Sequence, residues 1–168
     1  MENMEFIKDL SAGATISQSA KLYKTQDIID YTSSADLAYA DIINLTLAMN
    51  VLSEFYDVCA TVLVKNNTLT GVALGATMIE SFEKAVDCNP IDSICGVVAF
   101  SKKLTIDIAR LLTSQHVVVA PELDNEVKDL FDNKKIKFVE IKTPLKEYKN
   151  YLIEEIFVTP FGTIVQDK

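Results

Sequence analysis

The stretch CATVLVKNNTLTGVALGATMIESFEKAVDCNPIDSICGVVAF (residues 59–100) decides the fold. A short apolar run ends at Lys65, a polar turn and two glycines follow, then a helical pattern, then a second apolar run. This order is typical of a strand–turn–helix–strand unit in an open α/β sheet. Such sheets place their chemistry at the carboxyl ends of strands, where the chain turns into a helix. Lys65 and Asn66 stand at that point and are the first candidates for a functional site.

The segments on either side alternate in the same way. Apolar residues at helical spacing predict a helix over residues 36–56. Further helices are predicted at about residues 77–87, 105–113 and 125–132, and strands at residues 60–64, 96–100, 117–120, 136–141, 155–158 and 163–166. The last two strands are predicted to form a hairpin. We therefore predict an α/β fold, a three-layer α/β/α sandwich whose mixed sheet is mostly parallel in the middle. Residues 1–35 are predicted to form an N-terminal arm, and residues 36–168 a single lobe.

Composition excludes several classes of protein. The chain has 168 residues, of which 49% are hydrophobic, so it is long enough for one domain with a substantial core. Its net charge of -8 argues against a nucleic-acid partner. No apolar run approaches the roughly 20 residues of a membrane helix, and the N-terminus does not look like a secretory signal. We therefore expect a cytoplasmic protein with no membrane partner.

The motifs of many enzyme classes are missing from the sequence. The three cysteines and the single histidine, His116, lack zinc-binding spacing, and we expect no metal site. Neither glycine-rich nucleotide fingerprint occurs. His116 precedes an apolar strand and has no nucleophile near it in sequence, which favours a structural role. Lys65 can serve as an acid, an oxyanion partner or a phosphate contact, or it can be a solvated turn residue.

Several segments carry a resemblance to a known family. They are AYADI (residues 38–42), VKNNTLTGVA (residues 64–73), NPIDSICGVVAF (residues 89–100), VVAP (residues 118–121) and GTIVQD (residues 162–167). In order and spacing they resemble the transformylase part of the bifunctional purine enzyme that formylates AICAR and then closes the ring to IMP. The corresponding family motifs include Val-Lys-His-x-Asn-Pro-Cys-Gly-Val-Ala and Asp-Pro-x-Ser-Ala-Phe-Gly-Gly. The similarity runs from about residue 38 to the last residue.

The resemblance implies a cytidine-deaminase-like lobe without zinc, with AICAR or a related purine nucleotide and 10-formyltetrahydrofolate as substrates. It implies catalytic roles for Lys65 and Asn66. It implies an active site between subunits, hence a homodimer or association with a second transformylase lobe. Substrate contacts are expected from four further residues: Asn67, Gly71, Ser93 and Gly96.

The departures from the family pattern support two hypotheses. The catalytic histidine of the family is Asn66 here, and an amide cannot shuttle a proton near neutral pH. The proline of the family's first motif is also missing. One hypothesis is an AICAR formyltransferase-like protein, a single degenerate lobe without full activity alone. The alternative is a non-catalytic module on the same fold that binds a nucleotide, a folate or another subunit.

Overall fold

The computed structural model describes residues 4–10, 12–24, 27–151 and 154–167. Its strands are β1 (Glu5–Leu10), β2 (Ala20–Lys24), β3 (Tyr31–Ser33), β4 (Cys59–Lys65), β5 (Thr68–Gly75), β6 (Gly96–Phe100), β7 (His116–Ala120), β8 (Lys137–Ile141), β9 (Glu154–Thr159) and β10 (Gly162–Asp167). The α-helices are α1 (Tyr39–Leu52), α2 (Met78–Cys88), α3 (Ile106–Leu111) and α4 (Asn125–Lys134). Short 3-10 segments cover Ser53–Phe55, Asp92–Ile94 and Leu145–Tyr151.

The main sheet has six strands in the order β3-β8-β7-β6-β4-β5. Strands β6, β7 and β8 run parallel to one another, with α3 and α4 as their crossovers. The outer strands are antiparallel: β4 to β6, β5 to β4, and β3 to β8. The predicted mixed sheet with a parallel middle is confirmed.

Side chains alternate between two apolar cores, as the pleat of a strand requires. Along β4, Val62 and Val64 face α1 and the segment Leu145–Tyr151, whereas Leu63 faces α2. The core that contains Leu63 also holds the buried side chains of α3 and α4, among them Ile108 and Phe131. Helices therefore cover both faces of the sheet, which confirms the three-layer α/β/α sandwich.

The start of α2 shows how the local sequence sets a helix boundary. The Thr77 hydroxyl accepts a hydrogen bond from the Glu80 N–H at 3.3 Å, and the Glu80 carboxylate accepts one from the Ala76 N–H at 2.8 Å. The first bond satisfies a donor that the first turn of a helix leaves unpaired, and the second fixes the residue that precedes the cap. A buried hydrogen bond of 2.7 Å between the Thr61 and Ser81 hydroxyls then ties α2 to β4.

One predicted connection is wrong. The sequence pattern indicated that the chain turns from the strand at Lys65 toward a helix, but β5 comes first and pairs antiparallel with β4. Strand β5 was not predicted because it contains two glycines, and glycine weakens strand propensity. Gly71 is required there because a Cβ atom on it would collide with the carbonyl oxygen of Ala85 on α2.

Two further hairpins lie outside the main sheet. Strands β1 and β2 pair antiparallel, and so do β9 and β10, which confirms the hairpin predicted at the C-terminal end. Of the residues predicted to form an arm, 31–33 make up β3 and join the main sheet at its edge.

Glu140 of β8 is a buried carboxylate with three hydrogen-bond donors. Its side chain is 8% exposed and lies 2.7 Å from the Lys142 Nζ and 3.1 Å from the Lys128 Nζ. The Leu123 N–H donates to its other oxygen at 3.2 Å. Burial alone raises the pKa of Glu140, but these hydrogen bonds outweigh it and lower the pKa from 4.5 to about 2. The ionised form therefore stabilises the fold.

We expect Glu140→Gln to lower the free energy of unfolding at neutral pH by about 2 kcal/mol, because two lysines lose their shared carboxylate. A folded-state pKa below the unfolded one means that this stabilisation is present above about pH 4.5 and is lost as the pH falls toward about 2. Urea denaturation between pH 7 and pH 2 should show a flatter acid limb for the variant. Glu122→Gln, at a residue whose side chain is 60% exposed, is the matched control and should change little. An unchanged acid limb in Glu140→Gln would contradict the prediction.

Candidate functional site

Lys65 is the last residue of β4 and forms an ion pair with Asp92. Its Nζ donates to Asp92 Oδ1 at 2.9 Å, and the two side chains are 28% and 41% exposed. Because β4 and β6 are antiparallel, with Val64 opposite Val97, the end of β4 lies beside the segment that leads into β6. That segment is Asp92–Ile94, and it carries the partner carboxylate to the amine.

The ion pair keeps both groups charged around neutral pH. The hydrogen bond with Asp92 raises the pKa of Lys65 above 10.5, against a smaller opposing effect of burial, and the Cys95 thiol adds to the rise. Hydrogen bonds from Lys65 and then from Asn89 lower the pKa of Asp92 below 3.8. Lys65 is therefore an ammonium group that can stabilise negative charge or donate a hydrogen bond, but it cannot act as a base.

Asn89 holds the carboxylate in place. Its Nδ2 donates to Asp92 Oδ2 at 2.9 Å, while its own Oδ1 accepts the Asp92 N–H at 3.2 Å. The Asn89 carbonyl also accepts the Ser93 N–H at 3.0 Å. This pattern closes a compact turn after α2 and leaves one carboxylate oxygen for Lys65.

Asn66 and Asn67 form the two-residue turn between β4 and β5. Their φ angles are 52° and 56°, and Lys65 pairs with Thr68 across the turn. Two consecutive left-handed residues make the turn that suits the twist of a hairpin, and asparagine tolerates this conformation better than most residues. The Asn67 N–H donates to Asn44 Oδ1 of α1 at 2.7 Å. The turn alone accounts for asparagine at both positions, and it leaves the exposed Asn66 next to the ion pair.

Ser93 and His116 connect this turn to the parallel part of the sheet. The Thr113 N–H donates to His116 Nδ1 at 3.1 Å, which places the ring hydrogen on Nε2. Nε2–H then donates to the Ser93 carbonyl at 3.0 Å. His116 is buried at the start of β7, and these hydrogen bonds at both ring nitrogens support the structural role predicted for it. The Ser93 hydroxyl donates to the Pro90 carbonyl at 3.0 Å.

The two glycines among the predicted site residues lie in different places. Gly96 has a φ of 107° and packs against the end of β4, where a Cβ atom would collide with the carbonyl oxygen of Val64. It is therefore part of the Lys65 surroundings. Gly71 is buried under α2 against Ala85, and the structure does not bring it into the cluster.

Lys65 ends its strand as predicted, but it does not lie beside the carboxyl ends of the parallel strands. Strand β4 runs opposite to β6, so Lys65 lies at the edge where β6, β7 and β8 begin. The reason is the β4–β5 hairpin, which returns the chain along the sheet before α2. The sequence interpretation consequently missed Asp92, Asn89 and Cys95. A prediction that residues 60–64 pair antiparallel with residues 96–100 would have placed these three residues beside Lys65.

Other kinds of site are not found in the part of the chain that the structure describes. There, no group of three or more His, Cys, Asp or Glu side chains is placed to hold a metal ion. In the same residues, no helix is long and apolar enough to cross a membrane.

Comparison with known proteins identifies the family. The family described as AICARFT/IMPCHase bienzyme matches residues 2–168. The chain belongs to this family. Among its relatives are two proteins described as "Bifunctional purine biosynthesis protein PurH". The one from Clostridium kluyveri is 31% identical over 140 residues, which is 78% of this chain and 28% of the relative. The one from Clostridium botulinum is 36% identical over 102 residues, 60% of this chain and 20% of the relative. These matches therefore span less than a third of the relatives' own length.

The segment at residues 89–96 resembles the family motif Asp-Pro-x-Ser-Ala-Phe-Gly-Gly. Asn89 takes the place of the aspartate in Asp-Pro-x-Ser-Ala-Phe-Gly-Gly, and Asp92 takes the place of the serine. This chain therefore has its carboxylate three residues later, where the Asp92–Ile94 segment directs it at Lys65. The lysine of the family motif is present as Lys65, and in this chain Asp92 balances its charge.

Proposed function

We propose that this chain is an AICAR formyltransferase-like lobe of purine nucleotide biosynthesis. It would take part in formyl transfer from 10-formyltetrahydrofolate to AICAR, and it would lack full activity alone. The single observation that carries this proposal is the Lys65–Asp92 pair, at 2.9 Å, in a chain of the AICARFT/IMPCHase bienzyme family. The proposal retains the cytoplasmic location predicted from the sequence.

The ammonium group of Lys65 suits the charge that develops during formyl transfer. When the amine of AICAR attacks the formyl carbon, the formyl oxygen becomes negative, and a fixed cation stabilises it. Asp92 keeps Lys65 oriented and protonated. In this proposal Lys65 stabilises the oxyanion and does not remove a proton.

The side chains around Lys65 supply binding more readily than proton transfer. Asn66 would hold a substrate by hydrogen bonds from its amide, with Asn67, Ser93 and Gly96 lining the same edge of the sheet. An amide in place of a catalytic histidine forgoes acid–base help worth about 10²–10⁴ in rate. This loss is our reason for expecting incomplete activity. Gly71, which lies under α2, has no part in the proposed site.

The surroundings of Lys65 also favour association with another lobe. Strand β5 is an edge strand, and three apolar side chains beside the ion pair are well exposed: Leu69 at 42%, Ile91 at 79% and Ile94 at 56%. Edge strands and exposed apolar patches are typical of interfaces. We propose that a second copy, or a second transformylase lobe, covers this surface and completes the site.

Light scattering of the purified chain should therefore give the mass of a dimer, because burying this patch is favourable. Ile91→Lys should shift the population toward monomer, since it places a charge in the interface. Ile16→Lys is the control, at an apolar residue that is 96% exposed on the N-terminal segment. A monomer at every concentration would refute the proposed association.

Binding and turnover test the function separately. Isothermal titration calorimetry should detect AICAR binding to the purified chain. An absorbance assay for tetrahydrofolate, with AICAR and 10-formyltetrahydrofolate present, should show slow turnover at most. Binding without any turnover would favour the non-catalytic module, and absence of AICAR binding would contradict the proposed function.

A further inference from the structure

A concave site separate from the Lys65 cluster lies beside α1. It is a groove of about 290 Å³ between the β1–β2 hairpin, α1, β8 and the segment Leu145–Tyr151. None of the residues of the Lys65 cluster lines it. Among the described residues its walls are aliphatic side chains and Met49, together with four tyrosines, one threonine and one carboxylate: Tyr23, Tyr31, Tyr148, Tyr151, Thr46 and Asp27. The volume is at the lower end of the range for small-molecule sites.

Tyr148 gives this groove a polar feature that the fold does not use. The residue is only 6% exposed, and among the described residues its hydroxyl has no hydrogen-bond partner and is not sealed from solvent. An accessible hydroxyl without a protein partner, on a residue that lines the groove, is free to bond a molecule that enters it. Burial raises the pKa of Tyr148 to about 12, so the hydroxyl keeps its proton and remains a donor.

The charge around the groove restricts what it can hold. None of the residues that the structure places in its lining is basic, and Asp27 lies at its wall. Lys24 approaches Asp27 to 3.9 Å but does not line the groove. An anionic molecule, such as a nucleotide or a folate, would lose its hydration there without gaining a cationic partner.

We propose that this groove binds a neutral, flat aromatic molecule of one or two fused rings, with an acceptor atom that takes a hydrogen bond from the Tyr148 hydroxyl. The ring would pack against aliphatic walls and tyrosine rings, which favour aromatic contacts. A well-placed polar group among mostly apolar walls fixes the orientation of such a ligand. The site is separate from the edge of the sheet where Lys65 lies, and it does not depend on the proposed function.

Two probes of the same shape test the hydrogen bond. Quinoline carries a ring nitrogen as acceptor, and naphthalene has none. Both should shift amide resonances of groove residues in ¹⁵N spectra of the whole chain. In Tyr148→Phe, quinoline affinity should fall about 5-fold, the value of one net hydrogen bond, while naphthalene affinity should not change. The anionic 2-naphthoate should bind the wild-type chain at least about 10-fold more weakly than quinoline.

Each other outcome overturns the proposal. Equal loss for both probes, or no loss for quinoline, would show that the Tyr148 hydroxyl does not contact a ligand. Naphthoate binding as strong as quinoline binding would remove the argument from charge. Groove signals that change with protein concentration in the absence of probe would show that a second copy occupies the groove. Tyr148→Phe leaves the apolar walls unchanged, so the naphthalene titration also reports whether the variant is folded.

Discussion

Replacing Lys65 with alanine is expected to weaken AICAR binding by roughly 10- to 100-fold. Its ammonium is the cation in the proposed site, and a hydrogen bond to a charged group contributes about 1.5–3 kcal/mol. Any formyl transfer should fall further, by about 10²–10³, because the developing oxyanion loses its partner. Calorimetry with AICAR and the tetrahydrofolate assay measure the two effects.

Lys84→Ala is the matched control. Lys84 also pairs with a carboxylate, Glu80, at 2.6 Å, but on the exposed surface of α2. Its removal should leave AICAR binding unchanged. If Lys65→Ala and Lys84→Ala bind AICAR equally well, Lys65 has no role in the site.

Gly96→Ala should lower the free energy of unfolding by roughly 3 kcal/mol or more. Alanine is strained at a φ of 107°, and its Cβ would collide with the carbonyl oxygen of Val64. Relief requires the start of β6 to move away from the end of β4. Urea denaturation followed by circular dichroism measures the loss.

Gly162→Ala is the control that separates the backbone strain of a positive φ from the collision of the new Cβ atom. Gly162 also has a positive φ, 137°, but a Cβ atom there would meet no atom within 4 Å. Its replacement should cost only about 1 kcal/mol. Equal losses in the two variants would show that close packing of β4 against β6 contributes nothing at Gly96.

Much of the fold could be predicted because local patterns agree with it. The run at 117–120 is apolar throughout, as expected for a strand covered on both faces, and β7 is buried along its length. Strand β5 could not be predicted in the same way. Its glycine at 71 is explained by α2 passing close to the sheet, a contact between distant residues that no local pattern reveals.

The site also combines residues that the sequence predicts with residues that it does not. Lys65 stands out from the sequence because it ends an apolar run, and Asn66-Asn67 stands out as a turn. Asp92 does not stand out, because its importance depends on β4 running antiparallel to β6. The role proposed for Lys65 depends on the pairing of β4 with β6, because this pairing brings the Asp92 carboxylate to the Lys65 amine.

The most direct test of the proposed site is an AICAR titration of the ¹⁵N-labelled chain followed by NMR. We predict that the amide resonances of Lys65 to Thr68, of Asn89 and of Ile91 to Gly96 shift together and saturate with one affinity. Shifts confined to the tyrosine-lined groove, or no shifts at all, would contradict the assignment of the Lys65–Asp92 edge as the AICAR site.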